Sequence, residues 1–190
     1  MGKYRSAKET YRAVMLIAVP SSVDASGYKT GYVSSQTPIK MYKRANVKSK
    51  VVRQLAHNKE IQYKYYKKGW YLAKRGNKTG FVRSKYISKY KTAKENRPVY
   101  SPGYFRQMGV IYWGSWRWTW YSQRVLPGGG LNIPGRHVND SGYVCDGCGY
   151  ICVASSVLSR GTVVDTPFGW QGKVYDTGCS SDTLDCYVAW

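Results

Sequence analysis

A chain of 190 residues and 21.6 kDa has room for one or two domains and excludes a large multidomain assembly. Apolar residues make up 43%, enough for ordinary cores, and no apolar run approaches the roughly 20 residues of a membrane-spanning helix. The net charge of +20 is unevenly spread: residues 1–25 hold 4 Lys/Arg against 2 Asp/Glu, residues 26–98 hold 20 against 2, and residues 99–190 hold 6 against 6. A basic part joined to a neutral part predicts two units with different tasks.

The first twelve residues carry Lys3, Arg5, Lys8 and Arg12, and the apolar run Ala13–Val19 follows, closed by Pro20 and the small-residue stretch Val23-Asp24-Ala25. This order of basic, apolar and small-residue segments is that of a secretory leader, so residues 1–25 are expected to be a signal peptide and the mature chain to start near Ser26. A frayed amphipathic helix is the alternative.

Helical periodicity is almost absent beyond Val19, and short alternating runs broken by Gly, Pro, Asn and Ser take its place. Ile61-Gln62-Tyr63-Lys64-Tyr65 alternates with period two, which buries one face and leaves the other charged. Lys67-Lys68-Gly69 reads as a turn into a strand at Trp70–Ala73, and Gly76–Gly80 as a turn into Phe81-Val82-Arg83. The stretches Ile39–Tyr42, Val51–Leu55, Gly69-Trp70-Tyr71 and Lys78-Thr79-Gly80-Phe81-Val82, with Tyr86-Ile87, resemble those of a bacterial SH3 domain. The resemblance covers about a third of the chain. It implies a small β-barrel over residues 26–89 that binds wall peptide or glycan without catalysis, with Trp70 as a substrate contact.

Residues 90–103 are polar and turn-rich and read as a linker. The second unit, residues 104–190, holds six of the seven Trp. Trp116, Trp118 and Trp120 share one face of a strand. Core packing is the commoner fate of such a row, whereas an exposed row would suit stacking on sugar rings.

The closing segment carries the candidate chemistry. Asp176-Thr177-Gly178 follows an apolar run and begins a turn, and Asp185 sits between Leu184 and Cys186 in an apolar alternation. A carboxyl among apolar neighbours has its charged form disfavoured, and the raised pKa suits a general acid. The bland alternatives are a turn Asp bonded to its own backbone and an outward Asp facing solvent.

Gly161-Thr162, Asp176-Thr177-Gly178 and Leu184-Asp185-Cys186-Tyr187 resemble the three-aspartate (3D) domain family, which is similar to the catalytic barrel of lytic transglycosylase A. Where that family has a further Asp, this chain reads Val153-Ala154-Ser155. The resemblance implies an all-β chain, an SH3-like barrel followed by a double-psi β-barrel. It implies cleavage of the β-1,4 bond between N-acetylmuramic acid and N-acetylglucosamine with a 1,6-anhydro product. Asp185 would be the acid and base and Asp176 its neighbouring carboxylate, with Thr177, Gly178 and Tyr187 contacting the glycan. No cofactor is implied. The expected protein is secreted, monomeric and wall-associated, and its partners are peptidoglycan and anionic wall polymers rather than nucleic acid. The competing class is a non-catalytic protein that binds or loosens wall glycan, which Ser155 favours. A single-strand nucleic-acid binder is the third reading of the basic, Tyr-rich stretch.

All five Cys lie in the second unit. Cys179 and Cys186 flank the Thr-Leu-Asp segment, so a disulfide between them could staple it. Cys145-Asp146-Gly147-Cys148 with Cys152 has metal-like spacing, but a single CxxC falls short of a zinc site, and no metal is expected. His57 reads as a solvated residue of a Lys-rich turn and His137 as a surface-loop residue. The Gly128–Gly130 run lacks the Lys-Ser/Thr of a phosphate loop.

Overall fold

The computed structural model describes residues 27–125 and 131–190. The expected leader at residues 1–25 lies outside the described residues, as does the Gly128–Gly130 run. The chain is all-β in character, built on two sheets. No helix among the described residues is long and apolar enough to cross a membrane.

Seven strands form the first sheet: β1 (Lys29–Val33), β2 (Ile39–Tyr42), β3 (Val51–Leu55), β4 (Glu60–Lys67), β5 (Trp70–Arg75), β6 (Lys78–Arg83) and β7 (Ile87–Ser88). Their order is β3-β2-β6-β5-β4-β1-β7, all antiparallel. The alternation read from the sequence places Ile61, Ala73 and Val82 inward with Val33, Ile39, Met41 and Leu55. The β5–β6 turn is tighter than expected: it reverses at Gly76-Asn77, and the strand resumes at Lys78. Gly80 is a strand residue. A Cβ there would come within 2.6 Å of Met41 Cγ and 2.8 Å of the Tyr42 carbonyl, so close strand approach is what selects Gly.

The linker is an ordered strap. Asn58, with φ of 56°, holds Thr92 as a strand neighbour would: its amide donates to the Thr92 carbonyl at 2.8 Å and accepts from the Thr92 N–H at 2.9 Å. Gln36 does the same with the Ala93 carbonyl and the Glu95 N–H. On the other side Ala93 N–H reaches the Cys148 carbonyl, Asn96 N–H reaches Gly169, and Lys94 bonds Gln171 through both its N–H and its carbonyl. Ala93 is fully buried. His57 is half-buried instead of solvated, its two ring nitrogens 3.2 and 3.1 Å from the Ser35 and Thr92 carbonyls.

A short helix, α1 (Pro102–Met108), opens the second unit, capped by the Ser101 hydroxyl on the Tyr104 N–H with Pro102 at its start. The second sheet comprises β8 (Val110–Trp113), β9 (Trp116–Ser122), β10 (His137–Val138), β11 (Val144–Cys145), β12 (Ile151–Ala154), β13 (Val163–Val164), β14 (Gly172–Asp176) and β15 (Thr183–Val188). The path β10-β11-β12-β15-β9-β8 is joined by β14, which lies parallel to β12 on its free edge and carries β13. β15 runs antiparallel to β12 and parallel to β9. The central strands are buried on both faces, as parallel pairing demands. Leu184, Cys186 and Val188 join Trp118, Val153, Val174 and Phe168 in the main core, while Cys152, Ala154 and Tyr187 form a smaller cluster on the other face. The Trp row packs inward: Trp118 is fully buried, and Trp116 and Trp120 lean on the same core.

Candidate active site

The two aspartates singled out from sequence meet at one residue of β12. Ala154 pairs with Asp176 of β14 on one edge and Asp185 of β15 on the other. Their Cα atoms are therefore two strand spacings apart, about 9–10 Å. A register shift between Val153 and Ala154 makes this possible, because the partners step from Val174 to Asp176 and skip Tyr175. Regular alternation would leave Asp176 on the face of Val174, in the main core. The irregularity re-aims it to the face of Ala154 and Tyr187. The Tyr187 hydroxyl donates to Asp176 Oδ2 at 2.7 Å, and Arg160 stands 3.6 Å from Oδ1. The Asp176 carbonyl accepts from the Ser155 N–H.

Asp185 is half-buried. The parallel register of β15 on β9 sets it beside Thr119, whose hydroxyl donates to Oδ1 at 2.7 Å. Burial raises the Asp185 pKa above the usual aspartate value, while the Thr119 hydrogen bond and the Arg117 charge pull the other way. Arg117, Thr119 and Tyr121 of β9 lie abreast of Thr183, Asp185 and Tyr187. Tyr121 meets Tyr187 edge-on at 6.1 Å between ring centroids. Burial, with the Asp176 hydrogen bond and charge, also raises the Tyr187 pKa. One face thus gathers a carboxyl whose pKa is raised by burial, a second carboxyl, the four hydroxyls of Thr119, Tyr121, Thr183 and Tyr187, and the guanidiniums of Arg117 and Arg160. That set can donate and retrieve a proton and hold a polyhydroxylated ligand.

Of the other expected site residues, Thr177 and Gly178 are exposed in the turn after β14, and Gly178 has the positive φ of 122° that the turn needs. Trp70 is not brought to this face. It is buried in the first unit, with Tyr42 edge-on at 5.9 Å and the Arg83 guanidinium 5.1 Å from its ring centroid. Cys179 and Cys186 are both free thiols, not a disulfide. Cys186 points into the main core, whereas Cys179 packs against the smaller cluster and donates to the Thr183 carbonyl, so β15 separates them. Ser155 is buried, and its hydroxyl accepts from the Val157 and Leu158 N–H groups. It closes a turn and offers no third acid.

Nothing local in the sequence marks Thr119 and Arg117, since the Trp row dominates the pattern of β9 and their partners come from the distant β15. Asp146 goes unmarked as well. It is buried and takes four hydrogen bonds, from Lys173, the Tyr175 hydroxyl and the Cys148 and Tyr150 N–H groups. Its position inside the Cys-x-x-Cys segment was read for the cysteines alone. Burial pushes the Cys145 thiol up to about 12 and the Cys152 thiol up as well, the charge of Asp146 adding to both. Among the described residues no group of three or more His, Cys, Asp or Glu is placed to hold a metal ion. No protein family, curated protein or solved structure matches the chain.

Proposed function

We propose that the protein is a secreted, wall-associated enzyme that cleaves peptidoglycan glycan as a lytic transglycosylase does, its basic SH3-like unit gripping the wall and its double-psi-like barrel carrying the chemistry. The observation that supports this most is Asp185, a half-buried carboxyl with a raised pKa held on Thr119 across from Asp176. The parallel pairings of β12 with β14 and of β15 with β9 suit a barrel with interlocked crossings.

In this reading Asp185 gives its proton to the glycosidic oxygen as the bond to C1 breaks. The carboxylate then takes the proton of the muramoyl 6-hydroxyl, whose oxygen bonds to C1. A 1,6-anhydro sugar forms and no water is consumed. Thr119 orients the carboxyl throughout. Asp176, fixed by Tyr187 and Arg160, tunes and orients the site.

The test is mass spectrometry of purified peptidoglycan after incubation. Anhydromuropeptides are expected from the wild type. Asp185→Asn should lose roughly 10²–10⁴-fold in turnover while wall binding persists. Asp176→Asn should lose less. Hydrated reducing ends would refute the single-carboxyl mechanism. Absence of any released fragment would favour the second reading, a non-catalytic glycan-binding or loosening protein, which the turn-closing role of Ser155 supports.

A further inference from the structure

We propose that Arg117 determines specificity by binding a carboxylate of the substrate, so that the protein acts on glycan carrying a free acid group on the sugar at the cleaved bond or on its neighbour. The inference rests on the glycan-cleavage reading and adds to it a substrate class and the residue that selects it.

The described residues contain two side-chain ion pairs, Arg160 with Asp176 and Lys173 with Asp146. Arg117 belongs to neither, so no carboxylate among them lies within 4.0 Å of its guanidinium. Its side chain makes one hydrogen bond there, from Nη1 to the Thr183 hydroxyl at 3.2 Å, and that hydroxyl in turn donates to Asp182 at 3.0 Å. A guanidinium has five N–H donors in a planar fork matched to a carboxylate. Arg117 is also half-buried, where an unpaired charge costs more than at the surface. It does not serve to hold Asp185, since that carboxyl takes its hydrogen bond from Thr119.

Position makes the unused fork informative. Arg117 is opposite Thr183 and Thr119 opposite Asp185, so the cation stands two residues along the strand from the proposed acid, on the same face. Two residues of strand are about 7 Å, within reach of a group on the same or the adjoining sugar. Nor is Arg117 part of a general basic surface, for residues 99–190 hold 6 Lys/Arg against 6 Asp/Glu. In a muramic-acid glycan the matching group is the lactyl carboxylate, free where the peptide stem has been removed. Its arrival would also offset the positive charge that opposes protonation of Asp185, linking recognition to the acid's readiness.

The experiment uses full-length protein and peptide-free glycan strands in two forms, with lactyl carboxylates free or methyl-esterified. Binding is read by calorimetry on the Asp185→Asn variant, and cleavage on the wild type. Free-acid strands should bind about tenfold or more tightly than the ester, as expected for a charge-assisted pair. Adding Arg117→Met should abolish that preference, and Arg117→Lys should keep part of it. Equal binding of acid and ester, with cleavage intact, would overturn the inference and leave the glycan reading standing. A preference that survives in a folded Arg117→Met protein would overturn it too. If neither form binds or is cleaved, the glycan reading falls and this inference with it.

Discussion

Asp176 and Asp185 show how neighbours give one side-chain type two characters. Asp185 faces burial with a single hydroxyl partner, while Asp176 has a phenol and a guanidinium. The folded-state pKa of Asp185 lies above that of the unfolded chain, so its contribution to stability is lost as pH rises from the unfolded value through the folded one. It stays lost at neutral pH. Asp185→Asn removes that penalty and keeps an oxygen for Thr119. The variant should melt higher than wild type at pH 7, by about 2–4 °C per kcal/mol recovered. The gain should vanish near pH 3, below the ~3.9 of an unperturbed Asp. Thermal scans at the two pH values check this, and an equal gain at both would place its cause elsewhere. Asp146 is held by its partners. Removing it leaves the amine of Lys173 and the hydroxyl of Tyr175 without their 2.7 Å partner. Asp146→Ala should cost about 3 kcal/mol in urea unfolding. A loss within about 0.5 kcal/mol, the range of ordinary surface changes, would refute a structural role.

Strand β9 turns one face to the core and the other to the proposed site. Trp118 is fully buried between Trp113 and Phe168, so Trp118→Ala should destabilise by about 3–5 kcal/mol. Thr119→Val on the other face should change stability little and lower turnover, because it removes only the hydroxyl on Asp185. Unfolding curves beside glycan-release rates separate the two, and loss of stability without loss of rate at Thr119 would contradict the assignment. The strap makes a further element-scale prediction. Asn58→Ala removes both bonds to Thr92, and hydrogen exchange at Thr92 and its neighbours should speed up while β5 and β6 keep their protection. Unchanged exchange at Thr92 would show that the contacts to the second sheet suffice. The helix α1 is not expected from sequence, and it begins inside the segment read as linker: Ser101 and Pro102 supply its cap and first turn, yet seven residues are too few for periodicity to announce it.

At the scale of the whole molecule, charge is segregated: the first sheet and strap hold almost all of the excess, and the proposed catalytic sheet is neutral. The β4–β5 hairpin combines exposed Tyr65 and Tyr66 with exposed Lys67 and Lys68. Binding to insoluble wall should weaken as salt rises. Lys67→Gln with Lys68→Gln should flatten that salt dependence, whereas Tyr65→Ala should weaken binding at every salt. Pelleting assays at several ionic strengths check this, and a salt-independent interaction would refute an electrostatic grip. The strap matters here as well, because it ties the basic sheet to the neutral one through paired backbone groups and not through a loose tether.

Period-two alternation and Gly positions were enough to read the β class and most first-sheet strands, because each is a local property. Asp176 and Asp185 could be singled out because a carboxyl in an apolar run is a local anomaly. Their company depended on register, which is non-local. The skipped Tyr175 turned Asp176 toward Tyr187, the parallel docking of β15 on β9 gave Asp185 its Thr119 and Arg117, and opposite faces of one strand kept Cys179 from Cys186. The amide side chains of Gln36 and Asn58 likewise became strap partners only once residues 57 and 59 positions from Gln36, and 34 positions from Asn58, were folded against them. A one-residue change of register exchanges the faces of a strand, so side-chain company across a sheet is decided by packing of the whole core.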